Sequence, residues 1–105
     1  MFVILWEFDV KHDCEKLFTS AYSGTGAWAR LFARDAKFRE VRLFCDMARE
    51  GAQPLRYLTM DVWESREDYE HFLREHREAY RELDTACAGW TTRESHLRSF
   101  DADVP

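Results

Sequence analysis

The stretch RYLTMDVWESREDYEHF, residues 56–72, changes its pattern half-way and decides the fold. Its first half alternates and is rich in β-branched and aromatic residues, which predicts a strand over Arg56–Glu64. Ser65, followed three residues later by Asp68, is typical of a helix N-cap. The remainder is charged and periodic. The stretch therefore predicts a strand that passes directly into a helix, with the bulky side chain of Trp63 at the joint.

The helix after Ser65 is the most regular element that the sequence predicts. Its charged face alternates in sign at four-residue intervals, as expected of a solvated surface held by weak ion pairs. The opposite face is an apolar stripe at helical spacing, formed by Tyr69, Phe72, Leu73, His76, Tyr80, Leu83 and Cys87. We predict one continuous helix that Gly89 ends, with Cys87 buried.

The rest of the chain supplies three more strands and a first helical region. Two glycines in SGTG interrupt the helical pattern, so the first helical region is expected to be kinked or split. The predicted segments are a strand over 2–10, helical pieces over 13–22 and 27–35, a strand over 38–47, a turn around Gly51, a last strand over 92–100 and a loose tail over 101–105.

The element order β-α-β-β-α-β matches the ferredoxin-like motif, an α+β fold with two helices on an antiparallel four-stranded sheet. A length of 105 residues favours one domain, which we place at residues 1–100.

Strand alternation gives β-strand 56–64 two apolar faces, one with Leu58, Met60 and Val62 and one with Tyr57 and Trp63. Only one face can meet the helices, so the other predicts a homodimer packed sheet to sheet.

Composition excludes several classes of function. Twenty acidic against fifteen basic residues give a net charge of −5, which argues against nucleic-acid binding. No apolar run approaches a membrane span, and MFVILWEFDV, without a basic leader, is expected to be a strand and not a signal peptide. Three widely spaced cysteines predict reduced thiols and a cytoplasmic protein. The four histidines are scattered, so we expect no metal site.

At this point the chain resembles the antibiotic-biosynthesis-monooxygenase family of dimeric α+β barrel proteins. The resemblance spans nearly the whole chain and is carried by the element order, by AWARLF at 27–32 and by the stretch at 56–72, where a strand ends in Trp, Glu and a helix cap. It implies two ferredoxin-like subunits that join their sheets into a barrel, each with a pocket between its own sheet and helices. Some members oxidise aromatic polyketides with oxygen and without metal or flavin.

The resemblance also implies that Trp63 lines the substrate pocket, because oxygenases of the group have a tryptophan at the matching position. Haem-degrading members carry an asparagine on the first strand, and this chain contains no asparagine. A haem ligand is therefore not implied, and we expect no cofactor.

Two residues are candidates for the catalytic base. His76 lies within the apolar helical stripe, where burial would keep it neutral, or it is an ordinary core histidine. Asp61 shares a strand face with Trp63, where a carboxylate either borders a wet pocket or pairs with an arginine. Aromatic and polar residues predicted to bind the substrate are Trp63, Trp28, Tyr57, Thr59, Tyr80, Tyr22 and Trp6, although each also suits an ordinary core.

Three functions remain open from the sequence. The first is a cofactor-independent monooxygenase, in which a base deprotonates an aromatic or polyketide-like substrate that then reacts with oxygen. The second is a non-catalytic dimer that binds a hydrophobic or aromatic small molecule. The third is a cofactor-free cyclase or isomerase that uses the same pocket.

Overall fold

A computed structural model of the chain describes residues 1–48 and 54–102 and confirms the ferredoxin-like α+β fold. The strands are β1 (Phe2–Val10), β2 (Phe38–Cys45), β3 (Leu55–Trp63) and β4 (Thr91–Asp101), and the helices are α1 (Glu15–Tyr22), α2 (Ala27–Phe32), α3 (Arg66–Glu75) and α4 (Arg77–Cys87). The strands form one antiparallel sheet in the order β2-β3-β1-β4. No helix in this described part of the chain is long and apolar enough to cross a membrane.

The two chain segments that the sequence predicted to be irregular lie largely outside these ranges. The turn at Gly51 falls outside the described residues, and so do residues 103–105 of the predicted tail. The first tail residue, Asp101, instead belongs to β4. The next one, Ala102, donates its backbone N–H to the carbonyl of Met1 at 2.8 Å. The described start of the tail is thus tied to the sheet and not loose.

The joint between β3 and α3 has the predicted cap. The Ser65 hydroxyl oxygen accepts a hydrogen bond from the backbone N–H of Asp68 at 3.1 Å, and the hydroxyl donates to the Asp68 carboxylate at 2.7 Å. The first bond satisfies a backbone N–H that a helix start leaves open, and the second holds the Ser65 and Asp68 side chains together. The cap marks the point at which the chain leaves β3 and begins α3, which packs over the sheet.

The split between α1 and α2 is also confirmed, and it depends on Gly26. A Cβ atom at this position would lie 2.3 Å from the carbonyl oxygen of Ser20, so only glycine fits against the end of α1. Because of the split, α2 runs separately from α1. Its buried residues are Trp28, Ala29, Leu31 and Phe32.

The prediction of one continuous helix after Ser65 is wrong. The helix breaks at His76, whose backbone leaves the helical region at φ −120° and ψ 32°. As a result α3 packs Phe72 against Trp63, with ring centroids 5.1 Å apart, while α4 turns Tyr80 onto Trp28 at 5.0 Å. The break therefore divides the helical cover between two parts of the sheet.

The two faces of β3 differ as the alternation predicted. The inner face, under the helices, buries Tyr57, Thr59, Asp61 and Trp63. The outer face carries Leu58, Met60 and Val62, which are only half-buried in the single chain.

A cluster of charges occupies one end of the same outer face. The buried carboxylate of Asp9 accepts hydrogen bonds from Arg93 at 2.9 Å and from Arg56 at 3.0 Å, and Glu7 also pairs with Arg93. The two arginines hold the pKa of Asp9 below its ordinary value. The outer face of the sheet thus carries ion-paired charges at one end. The rest of it is an apolar surface that no other part of the described chain covers.

Candidate functional site

A cavity lies between the inner face of the sheet and the helices α1, α2 and α4. The cavity and its mouth together contain about 360 Å³ of space that no atom fills. The centre of a water-sized sphere fits in about 30 Å³ of the cavity. Its lining comes from all four strands and three helices: Trp6, Phe8, Tyr22, Trp28, Phe32, Val41, Thr59, Asp61, Tyr80 and Glu94. The walls are mostly aromatic, and among the described lining residues the ionisable groups are two tyrosines and two carboxyls.

Asp61 is the most unusual group in this cavity. Its position in β3 directs it inward, and only 8% of the residue is exposed. Within residues 1–48 and 54–102, no arginine, lysine or hydrogen-bond donor pairs with the carboxyl, and burial alone raises its pKa to about 7. The alternative of an arginine partner, which the sequence left open, is therefore not realised in this part of the chain. A buried carboxyl that is half-ionised near neutral pH is suited to accept a proton.

The aromatic rings of the cavity wall pack against one another in a continuous group, with tilted or edge-on contacts. Tyr22 contacts Trp28 with ring centroids 5.9 Å apart, and Trp28 meets the edge of Tyr80 at 5.0 Å. Phe8 packs against Tyr22 at 5.0 Å. Such walls offer stacking to a flat ligand and keep water away from the carboxyl.

The edge of the cavity is formed by Tyr80 and Glu94. Tyr80 is half-buried, and burial raises the pKa of its hydroxyl. Glu94, on the edge strand β4, is exposed. Burial first, and then the nearby Asp84, raise the pKa of its carboxyl. The entrance of the cavity is therefore flanked by the Tyr80 hydroxyl and the Glu94 carboxyl, two acids whose pKa is raised.

The structure brings together six of the nine predicted site residues. Asp61, Trp28, Thr59, Tyr80, Tyr22 and Trp6 all line the one cavity. The other three lie elsewhere. Tyr57 is buried at another part of the inner face, where its hydroxyl donates to the Glu15 carboxylate at 2.6 Å.

Trp63 does not line the cavity, contrary to the sequence expectation. It is fully buried and packs between Phe32, Phe38, Tyr69 and Phe72, with ring centroids 5.1–5.7 Å away. Phe32 lines the cavity and Trp63 stands behind it. The tryptophan at the joint thus supports a cavity wall from within the core.

His76 is likewise absent from the cavity lining. The break between α3 and α4 places its ring against Phe72, with centroids 5.0 Å apart. Of the two candidate bases, the structure therefore puts only Asp61 in the cavity.

Sequence reasoning missed Phe8, Phe32, Val41 and Glu94 as lining residues. Glu94 had a usable signal, since β4 pairs it with Phe8 and so directs it to the inner face. The weak alternation of β4 hid that signal. Throughout the described ranges, no three His, Cys, Asp or Glu side chains cluster as ligands for a metal ion.

Known proteins with the same architecture were found among solved structures. No family model and no curated protein matches the sequence. SnoaB, a cofactor-independent oxygenase from Streptomyces nogalater, superposes with a TM-score of 0.64 at 19% identity, covering 99% of this chain and 94% of its own. The chain has the fold of the antibiotic biosynthesis monooxygenases.

Two further structures support that assignment of the fold. A proposed antibiotic biosynthesis monooxygenase from Nitrosomonas europaea gives a TM-score of 0.64 at 16% identity and covers 99% of this chain and 100% of its own. A protein from Arabidopsis thaliana gives a TM-score of 0.72 at 14% identity, with coverage of 100% and 98%. At these identities the similarity establishes the architecture, and the chemistry must be argued from the cavity.

Proposed function

We propose that this protein is a cofactor-independent monooxygenase that takes a small aromatic phenol or enol into the cavity. The observation that carries the proposal is Asp61, a buried carboxyl without a partner among the described residues, in an aromatic cavity and with a pKa of about 7. A structural carboxylate is normally paired, as Asp9 is in this same sheet. The oxygenase SnoaB has the same fold, which favours this chemistry over others.

The reaction begins with a proton transfer. The Asp61 carboxylate accepts the proton of the substrate hydroxyl, and the resulting phenolate is electron-rich at the carbon para to its oxygen. That carbon gives electrons to dioxygen and forms a C–O bond, and the peroxide anion takes the proton back from Asp61. Loss of the hydrogen on that carbon then breaks the O–O bond, which releases water and leaves a quinone. For 1-naphthol the balance is one naphthol and one O2 to one 1,4-naphthoquinone and one H2O.

The dimensions of the cavity limit the ligand. The space for a water-sized centre is about 30 Å³, room for one or two waters, so a compact ligand of one or two rings must also occupy the mouth, and a polycyclic one is disfavoured. Two-ring 1-naphthol is therefore the probe of choice. Its ring can stack on the walls formed by Trp28 and Tyr80.

Oxygen uptake tests the proposal. Purified protein with 1-naphthol in an oxygen electrode should consume one O2 for each quinone formed. Asp61→Asn should lower the rate at least 100-fold, since general-base catalysis contributes roughly 10²–10⁴-fold. His76→Ala, which alters a ring outside the cavity lining, is the matched control and should retain the rate. Equal rates for the Asp61 and His76 variants would refute Asp61 as the base.

The same experiment separates the two alternatives. Saturable binding of 1-naphthol without oxygen uptake would favour the non-catalytic binding protein. Exchange of substrate carbon-bound protons with solvent, again without oxygen uptake, would favour the cyclase or isomerase. The cavity supports all three, and the Asp61 carboxyl favours the two that need a base.

We also propose that the active form is a homodimer with outer sheet faces in contact. Leu58, Met60 and Val62 remain half-buried on that face, and Phe44 and Phe100 are 43% and 47% exposed. Apolar surface of this kind is stabilised by a second copy. We also propose a reducing compartment such as the cytoplasm, which suits three cysteines that lie far apart in the sequence.

A further inference from the structure

Two tryptophans in the core have buried indole N–H groups without a hydrogen-bond partner. They are Nε1 of Trp28 and Nε1 of Trp63. Buried donors are satisfied in most proteins, so each unpaired group calls for an explanation. The two differ in one respect, because Trp28 lines the cavity and Trp63 does not.

The indole N–H of Trp28 is buried and has no hydrogen-bond partner among the described residues. Trp28 is 6% exposed and reaches the cavity between Tyr22 and Tyr80. The Tyr22 hydroxyl and the Cys87 thiol lie close enough for the indole to influence their pKa values. Neither of them forms a hydrogen bond of acceptable geometry with Nε1.

Two residues that line the cavity thus carry a donor and an acceptor without partners in the described part of the chain. Asp61 supplies the acceptor, and Trp28 supplies the donor. No lysine or arginine is present among the described lining residues. A ligand that satisfies both groups has a hydroxyl for Asp61 and an acceptor oxygen for Trp28, and it is not an anion such as a carboxylate or phosphate, which this lining would repel.

We infer that Trp28 is a specificity-determining residue whose indole N–H donates a hydrogen bond to a carbonyl oxygen of the substrate. The substrate class is then a compact, neutral aromatic that carries both a hydroxyl and a carbonyl group. As the hydroxyl becomes a phenolate, conjugation moves negative charge onto the carbonyl oxygen, and the N–H bond to it strengthens. This inference rests on the proposed function only in taking the cavity as the ligand site.

Binding measurements with matched probes test the inference without turnover. The probes are 3- and 4-hydroxybenzaldehyde, and the carbonyl-free counterparts are 3- and 4-methylphenol. Calorimetry on the wild-type protein should show at least one aldehyde binding about tenfold more tightly than its methyl counterpart. Trp28→Phe should abolish this preference, whereas Trp63→Phe, which removes the other unpaired N–H, should retain it.

Infrared spectroscopy of the wild-type complex supplies a readout that needs no variant, and Trp28→Phe serves as its control. The carbonyl stretch of the bound aldehyde should lie at lower frequency than in an apolar solvent, and Trp28→Phe should reverse the shift. The inference is overturned if no aldehyde is preferred, if the preference survives in Trp28→Phe, or if the carbonyl stretch is unshifted in the wild-type complex. None of these outcomes depends on oxygen uptake, so the monooxygenase proposal stands or fails separately.

Discussion

Replacing Asp61 by asparagine should make the protein more stable at high pH and leave its stability little changed at low pH. In the unfolded chain the carboxyl has its ordinary pKa of 3.8, and burial raises the pKa to about 7 in the fold. Between these values the folded state holds a proton that the unfolded state has released, so stability falls as the pH rises. The difference of about three pKa units corresponds to about 4 kcal/mol, complete above pH 7 and absent below about pH 4.

Urea denaturation of the wild-type protein and of Asp61→Asn at about pH 4 and about pH 8 measures this penalty. The difference in unfolding free energy between the two proteins should change by about 4 kcal/mol across that range, in favour of the variant at pH 8. Comparing differences removes the contribution of the amide itself, which is the same at both pH values. A change below about 1 kcal/mol would show that Asp61 is not a buried carboxyl without a partner.

Three further predictions concern the sheet and the core, and a fourth concerns cofactors. Asp9→Asn should show the opposite pH dependence, because its pKa is lowered: it should destabilise at neutral pH, with a loss that fades as the pH falls below 3.8 in urea titrations. Trp63→Ala should cost about 3–5 kcal/mol in thermal or urea unfolding, and a loss below 1 kcal/mol would contradict its place in the core. Met60→Glu should give a monomer in sedimentation experiments in which the wild type is a dimer, and a wild-type monomer at micromolar concentration would refute the dimer. Purified protein should lack visible absorption and stoichiometric metal, and either signal would contradict a cofactor-independent enzyme.

The fold could be predicted because local patterns and their order agreed. Strand alternation, the Ser65 cap and the glycine break each fixed one element, and the order of elements left one common motif. The inner face of β3, with Thr59 and Asp61, followed from the period of a strand. These are properties of short segments, and the sequence displays them directly.

The site was predicted less well because it depends on how segments meet. The helix break at His76 has no glycine or proline to announce it, yet it moves the histidine away from the cavity and brings Tyr80 into it. Trp63 was assigned to the pocket by resemblance, whereas Phe32 from α2 stands between them. Tertiary packing decides both positions, and one segment's pattern does not report it.

The central claim is that Asp61 is a proton acceptor inside a ligand cavity. Carbon-13 NMR of the labelled aspartate carboxyls tests it most directly, with the Asp61 signal assigned by its loss in Asp61→Asn. We expect a titration midpoint near pH 7, as the raised pKa of Asp61 requires, and a change in that midpoint when 4-hydroxybenzaldehyde binds. A midpoint near the ordinary value of 3.8, unaffected by the aldehyde, would contradict the account.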